Sequence, residues 1–264
     1  MYDFNYRKAS SVDDAAAAIK AANDGKFMAG GQTLLPTMKL RLAGPSDVID
    51  LGGIGDLAGI KVDGGTVTIG AMTTHAAVAG SADVQKAIPA LAALAESIGD
   101  PAVRHRGTIG GSIANNDPAA DYPAGVVGLG ATVNTNARSI AADDFFTGLF
   151  DTALADDEVI TSVSFPVPDK AAYQKFENPA SRFAIVGVMV SQGSGGVRVA
   201  VTGAGTCVFR HGDMEEALGG NFSADAVAGV SLGADGLNTD IHASAEYRAH
   251  LVGVMAKRAV AACG

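Results

Sequence analysis

The chain has no tryptophan and only two cysteines in 264 residues. Cys207 and Cys263 form neither a C-x-x-C pair nor a metal-ligand spacing. That argues against a disulfide scaffold, a structural zinc site or a self-contained iron–sulfur cluster. Two unrelated thiols suit a reducing compartment. Long apolar runs are also missing. The longest clean one, AIVGVMV, falls far short of a membrane span. The N-terminal MYDFNYRKASSVDD has no apolar core of signal-peptide type. Cations are outnumbered 19 to 28, and the net charge of -9 repels phosphate backbones and anionic lipid. The expectation is a soluble cytoplasmic protein without a nucleic-acid or membrane partner.

The usual cofactor and hydrolase motifs are lacking too. GAGTCV at 203–208 begins like a dinucleotide fingerprint, but Val208 stands where the third glycine belongs. GGIGDLAG at 52–59 misses the spacing, and there is no G-x-x-x-x-G-K-[ST], H-E-x-x-H or G-x-S-x-G. The five histidines are scattered and build no metal site.

What is present is a large apolar fraction, 48%, and 34 glycines without a collagen period. Ser11 and Asp14 resemble a capping box opening an Ala-rich helix that Gly25 closes. KFMA and DVIDL read as short strands around a helix containing Pro36, so residues 1 to about 52 form a small βαβ-type unit. Asp63-Gly64-Gly65 predicts a hairpin. Thr73 and Thr74 are good caps for a helix starting just after them, and DVQKAIPALAALAESIG predicts one helix ending at Gly99. EVITSVSFP reads as a strand. After Pro168 three strands and several helices, the last over roughly 243–262, imply a second α+β unit.

Two stretches stand out. MAGGQTLL at 28–35 and TIGGSIAN at 108–115 each place a glycine pair after apolar residues and before a polar side chain. The spacing predicts two matching turns. Glycine lets backbone N–H groups approach a pyrophosphate, and Gln32, Thr33 and Ser112 add side-chain donors. Arg104-His105-Arg106 lies immediately before the second pair, a suitable place for basic groups near a phosphate.

Three segments, AGGQTLLPTMKLRLAGPSDVIDL, GDPAVRHRGTIGGSIANNDPAADYPA and YQKFENPASRFAIVGV, resemble the FAD-binding medium subunit of the molybdenum hydroxylases of the carbon monoxide dehydrogenase and xanthine dehydrogenase type. The resemblance runs over essentially the whole chain. It implies an α+β FAD-binding fold of the vanillyl-alcohol-oxidase (PCMH) type over residues 1–168, with subdomains of about 1–52 and 53–168. A C-terminal flavoprotein domain would fill 169–264. It implies that Ala29, Gly30, Gly31, Gln32, Thr33 and Leu34 form the first FAD loop, and Thr108, Gly110, Gly111 and Ser112 the second. Asp121 matches an acid near the adenosine half, where it would accept ribose hydroxyl hydrogen bonds, and Asp117 is a second acid in that loop. Ile160 matches an apolar strand position facing the cofactor, and Lys175 a basic residue of the flavin site. Phe183 falls where carbon monoxide dehydrogenases place a tyrosine over the isoalloxazine, and Gln32 departs from a histidine often found after the glycine pair.

The function implied is an oxidoreductase subunit without catalytic acid, base, nucleophile or metal of its own. Electrons would come from two [2Fe–2S] clusters on a small partner, pass through FAD here and leave to oxygen, NAD or a quinone. A large partner would carry the molybdenum cofactor, in a dimer of heterotrimers. A free-standing flavin oxidoreductase of the same fold, or a scaffold that lost FAD, stays open from the residues alone.

Overall fold

The computed structural model describes residues 1–263. The chain opens with β1 (Asn5–Lys8) and α1 (Val12–Ala21). The Ser11 hydroxyl accepts from the Asp14 N–H at 3.0 Å, and the Asp14 carboxylate accepts from the Ser10 N–H at 2.9 Å. The helix ends at Ala22, so Gly25 does not close it. Gly25 instead opens β2 (Gly25–Met28), where an added Cβ would meet Ile19 Cδ1 at 2.7 Å. α2 (Leu34–Lys39) and β3 (Asp47–Asp50) follow. The strands form a parallel sheet in the order β1-β3-β2, with its own apolar core around Ala15, Ile49 and Leu51.

β4 (Ile60–Asp63) and β5 (Thr66–Gly70) form the expected hairpin. Its turn residues Gly64 and Gly65 both have positive φ, 54° and 84°, as a type I′ turn requires. α3 (His75–Gly80) is capped by Thr74; the Thr73 hydroxyl bonds the Gly59 backbone instead. The single helix expected to end at Gly99 is two, α4 (Ala82–Ala87) and α5 (Pro89–Glu96). Pro89 cannot donate to the preceding turn and starts a new helix at its first position. α6 (Pro101–Arg104) leads to α7 (Ile109–Asn115) and α8 (Tyr122–Gly128). The second glycine pair therefore lies in the first turn of a helix and is not a loop like the first. β6 (Thr132–Thr135), β7 (Ser139–Ala141), α9 (Ala142–Phe145), β8 (Phe146–Gly148), β9 (Asp151–Thr152) and β10 (Ile160–Pro166) come next. An antiparallel sheet has the order β4-β5-β10-β6-β7.

β11 (Lys170–Glu177), β12 (Ala184–Gly193), β13 (Gly196–Thr202) and β14 (Phe209–Arg210) form a second antiparallel sheet in chain order. α10 (Gly212–Gly220) and the long α11 (Ala245–Ala262) complete the fold. Side chains alternate across a strand. Val188, Val190, Val199 and Val201 pack toward α11, whereas Tyr173, Met189 and Ala200 join the core of the middle region. With both faces covered, β12 is buried from Ala184 to Ser191, which is why AIVGVMV carries no polar alternation.

Candidate functional site

A cleft of about 1220 Å³ runs between the parallel sheet, the middle region and the edge of the last sheet. It exceeds the roughly 300–1,000 Å³ of ordinary small-molecule sites. Of the residues that the resemblance assigns to the cofactor, all but Lys175 line it, whereas the basic run Arg104-His105-Arg106 does not: the Arg104 guanidinium donates to the Ile98 and Gly99 carbonyls at 3.0 and 3.2 Å.

The first loop leaves β2 and turns at Gly31, whose φ of 72° suits glycine. Gly30 is needed for a different reason: the backbone of Arg106 and Gly107 lies directly against it. Among the described residues, the N–H groups of Gly30, Gly31, Gln32 and Thr33 make no backbone hydrogen bond. They form a row of unengaged donors beside the cleft.

The second motif differs. Thr108 caps α7 by accepting from the Gly111 N–H at 3.1 Å. The Gly110 N–H donates to the Ala71 carbonyl at 2.9 Å, and the Ser112 N–H to the Thr108 carbonyl at 3.0 Å. The expectation that this glycine pair offers free amides is therefore corrected: its N–H groups are engaged within the protein. Its glycines serve close packing, since a Cβ on Gly110 would meet Ala71 Cβ at 2.6 Å and one on Gly111 would meet Ala29 Cβ at 3.2 Å.

Asp117 caps its own turn, accepting from the Ala119 N–H at 2.8 Å. Asp121 is buried and already holds the Tyr173 hydroxyl at 2.5 Å and the Lys175 ammonium at 3.2 Å. Burial raises its carboxyl above the ordinary range, and Lys175 and Tyr173 act in the opposite direction. Ile160 is buried where β10 shifts register against β6. Lys175 is buried behind the wall and donates to the carbonyls of Ser97 at 2.9 Å and Arg182 at 2.7 Å, so the structure gives it no surface toward a ligand. Phe183 forms an aromatic wall, with the His242 ring edge-on behind it at 5.9 Å.

Sequence reasoning missed His75, Glu158, Asp240 and Lys26, which also line the cleft. His75 is buried beside Tyr122, ring centroids 5.3 Å apart. Burial and the Arg104 charge push its imidazole down to about 4, so it is neutral at pH 7. The lining holds five carboxylates, Asp24, Asp117, Asp121, Glu158 and Asp240, against one Lys or Arg, Lys26. Three of the five are neutralised from behind by Lys175, Arg138 and Arg248. Hydrogen bonding from Arg138 holds the Glu158 carboxyl down at about 2. No spacing in the sequence signals these pairs, whose members lie 54, 20 and 8 residues apart. Among the described residues no group of His, Cys, Asp and Glu is placed to hold a metal ion, and no helix is long and apolar enough to cross a membrane.

The donor row, the glycine cradle and the volume of the cleft fit a dinucleotide with its pyrophosphate at the first loop. Residues 2–168 match the family model described as the FAD binding domain in molybdopterin dehydrogenase. The nicotine 6-hydroxylase medium subunit of Paenarthrobacter nicotinovorans is 37% identical, over 98% of this chain and 96% of its own. The carbon monoxide dehydrogenase medium chain of Hydrogenophaga pseudoflava is 36% identical, over 97% and 96%. Among solved structures, reconstituted CO dehydrogenase from Oligotropha carboxidovorans superposes with a TM-score of 0.89 at 32% identity, covering 99% of this chain and 97% of the other. Quinoline 2-oxidoreductase from Pseudomonas putida 86 gives 0.88 at 28% identity, covering 99% and 96%. The α+β architecture is thus the FAD-binding fold expected from the sequence, and its cofactor is FAD. The chain belongs to the family of FAD-binding domains of molybdopterin dehydrogenases, as a medium-subunit-type component of oxidoreductases of the carbon monoxide dehydrogenase and xanthine dehydrogenase type.

Proposed function

We propose that this chain relays electrons from [2Fe–2S] clusters of a small partner subunit to an external acceptor, by way of FAD held in the cleft. The observation that carries the placement is the row of unengaged N–H groups from Gly30 to Thr33. They would hold the pyrophosphate, with the Gln32 amide and Thr33 hydroxyl beside them. Thr108, Gly110, Gly111 and Ser112 would form the opposing wall, as a packing surface more than a donor set. Ala29, Leu34 and Ile160 would supply apolar contact, and Asp117 and Asp121 line the same cleft, with Asp121 held from behind by Lys175. Phe183 would face the flavin ring. When bound, a flavin supplies one- and two-electron redox chemistry. The protein's part is to orient the group, exclude water and set the local charge.

A molybdenum-cofactor large subunit and an iron–sulfur small subunit would complete a cytoplasmic complex, as a dimer of heterotrimers. The division into 1–168 for the cofactor and 169–264 for the covering domain belongs to the same proposal. The test is to incubate the purified chain with FAD and record its visible spectrum after gel filtration. Retained flavin absorbance supports the placement if Gly31→Val abolishes it. Flavin retained equally by Gly31→Val counts against the first loop. Co-purification with two further chains, with iron and molybdenum measured on them, tests the assembly.

A further inference from the structure

Phe183 stands in a backbone segment fastened on both sides by buried cations. Residues 178–183 form a closed loop: the Asn178 N–H donates to the Phe183 carbonyl at 2.9 Å, and the Arg182 N–H to the Asn178 carbonyl at 2.9 Å. The Asn178 side chain braces the loop from inside, accepting from the Ala180 N–H at 2.9 Å. Arg182 sits at φ 62°, a left-handed conformation that a non-glycine residue holds only when its surroundings fix it. The restraint on its carbonyl is Lys175, whose ammonium donates at 2.7 Å.

Two residues past Phe183 the pattern repeats. The Arg248 guanidinium, buried on α11, donates through Nη1 to the Ile185 carbonyl at 2.6 Å and to the Gly203 carbonyl at 3.0 Å. Its Nη2 donates to Asp240 at 2.7 Å. Asp240 in turn accepts from the His242 N–H at 2.9 Å, and the His242 ring abuts Phe183. Neither Lys175 nor Arg248 lines the cleft, whereas Phe183 and Asp240 do. A buried cation on a carbonyl makes a charge-assisted hydrogen bond, stronger than a neutral one. Two of them bracketing one residue restrain the backbone that carries the ring, and the His242 ring held through Asp240 lies against its edge.

We infer that Lys175 and Arg248 are positioning residues that hold the Phe183 ring against the flavin without touching the cofactor. This rests on FAD occupying the cleft.

The test uses the full chain loaded with FAD and a reporter at the ring itself. Tyrosine against an oxidised flavin quenches its fluorescence, and phenylalanine does so weakly. Phe183→Tyr should therefore dim the bound flavin several-fold at unchanged stoichiometry. Arg248→Met in the Phe183→Tyr background should restore most of the emission while FAD stays bound, and Arg248→Lys should restore less. Lys175→Met in the Phe183→Tyr background, with flavin stoichiometry measured alongside, should act like Arg248→Met. Double variants as dim as Phe183→Tyr alone would overturn the inference. Bound flavin with no dimming in Phe183→Tyr would overturn it as well and leave the functional proposal standing. A parent chain that retains no flavin would overturn both.

Discussion

A Cβ on Gly30 would stand 1.9 Å from the carbonyl oxygen of Arg106. The two glycine motifs, nearly eighty residues apart, are therefore one object: the first loop is laid directly on the backbone that leads into the second. Similar sequence serves different physics. Gly31 turns the chain, Gly30 lets two backbones touch, and Gly110 and Gly111 let α7 pack tightly.

That contact orders the consequences of substitution. Gly30→Ala forces backbone against backbone, which cannot yield as a side chain does. It should cost about 2–4 kcal/mol of stability and lose FAD. Gly111→Ala meets the Thr108 hydroxyl at 2.9 Å, which can rotate away at the loss of a helix cap. It should cost about 1 kcal/mol and keep the fold. Urea unfolding of both variants, with FAD retention measured alongside, checks the order.

His75 makes stability depend on pH. Its folded value, about 4, lies below the 6.5 of the unfolded chain, so the unfolded state takes up the proton first. The contribution is fully present above pH 6.5 and is lost progressively toward pH 4. The loss between pH 7 and pH 5 should be about 2 kcal/mol. His75→Phe should flatten the profile in that window, measured by urea midpoints at both pH values.

Glu158 acts at lower pH and in the same sense. Its carboxyl, at about 2, lies below its ordinary value of 4.5. The stability it brings is therefore present above pH 4.5 and lost as pH falls toward 2. Arg138 is more than half exposed, which discounts the gain to about 1–2 kcal/mol. Glu158→Gln should lower the melting temperature at pH 7 and remove that part of the acid sensitivity.

The cleft walls carry one unpaired cationic side chain, Lys26, and on the proposed placement FAD is held by neutral amides. FAD affinity should consequently change by less than about threefold between 50 and 500 mM salt. Titration of the apoprotein by flavin fluorescence at both concentrations reads this directly.

Cutting the chain after Pro168 should not release an independent cofactor domain. Tyr173, Met189 and Ala200, all beyond the cut, belong to the same core as Leu91, Leu94 and Ile109. The 1–168 fragment would expose that apolar face. It should show reduced near-UV circular dichroism and weak FAD binding, both restored by adding 169–264.

Much of this protein is legible in local sequence. Ser11 with Asp14, the Gly64-Gly65 turn and Thr74 as a helix cap follow from steric and capping rules that act within a few residues. The residues that the family resemblance named, Lys175 apart, line one cleft. What the sequence left undecided is which groups remain free once the chain has folded. Gly30 and Gly110 look alike in the sequence, yet one has an unengaged N–H and the other donates to Ala71. Lys175 reads as a ligand and lies behind the wall, while His75 and Asp240 carry no signal and face the cleft. Hydrogen-bond satisfaction and burial are settled by partners from distant segments, and only the tertiary structure brings those partners together.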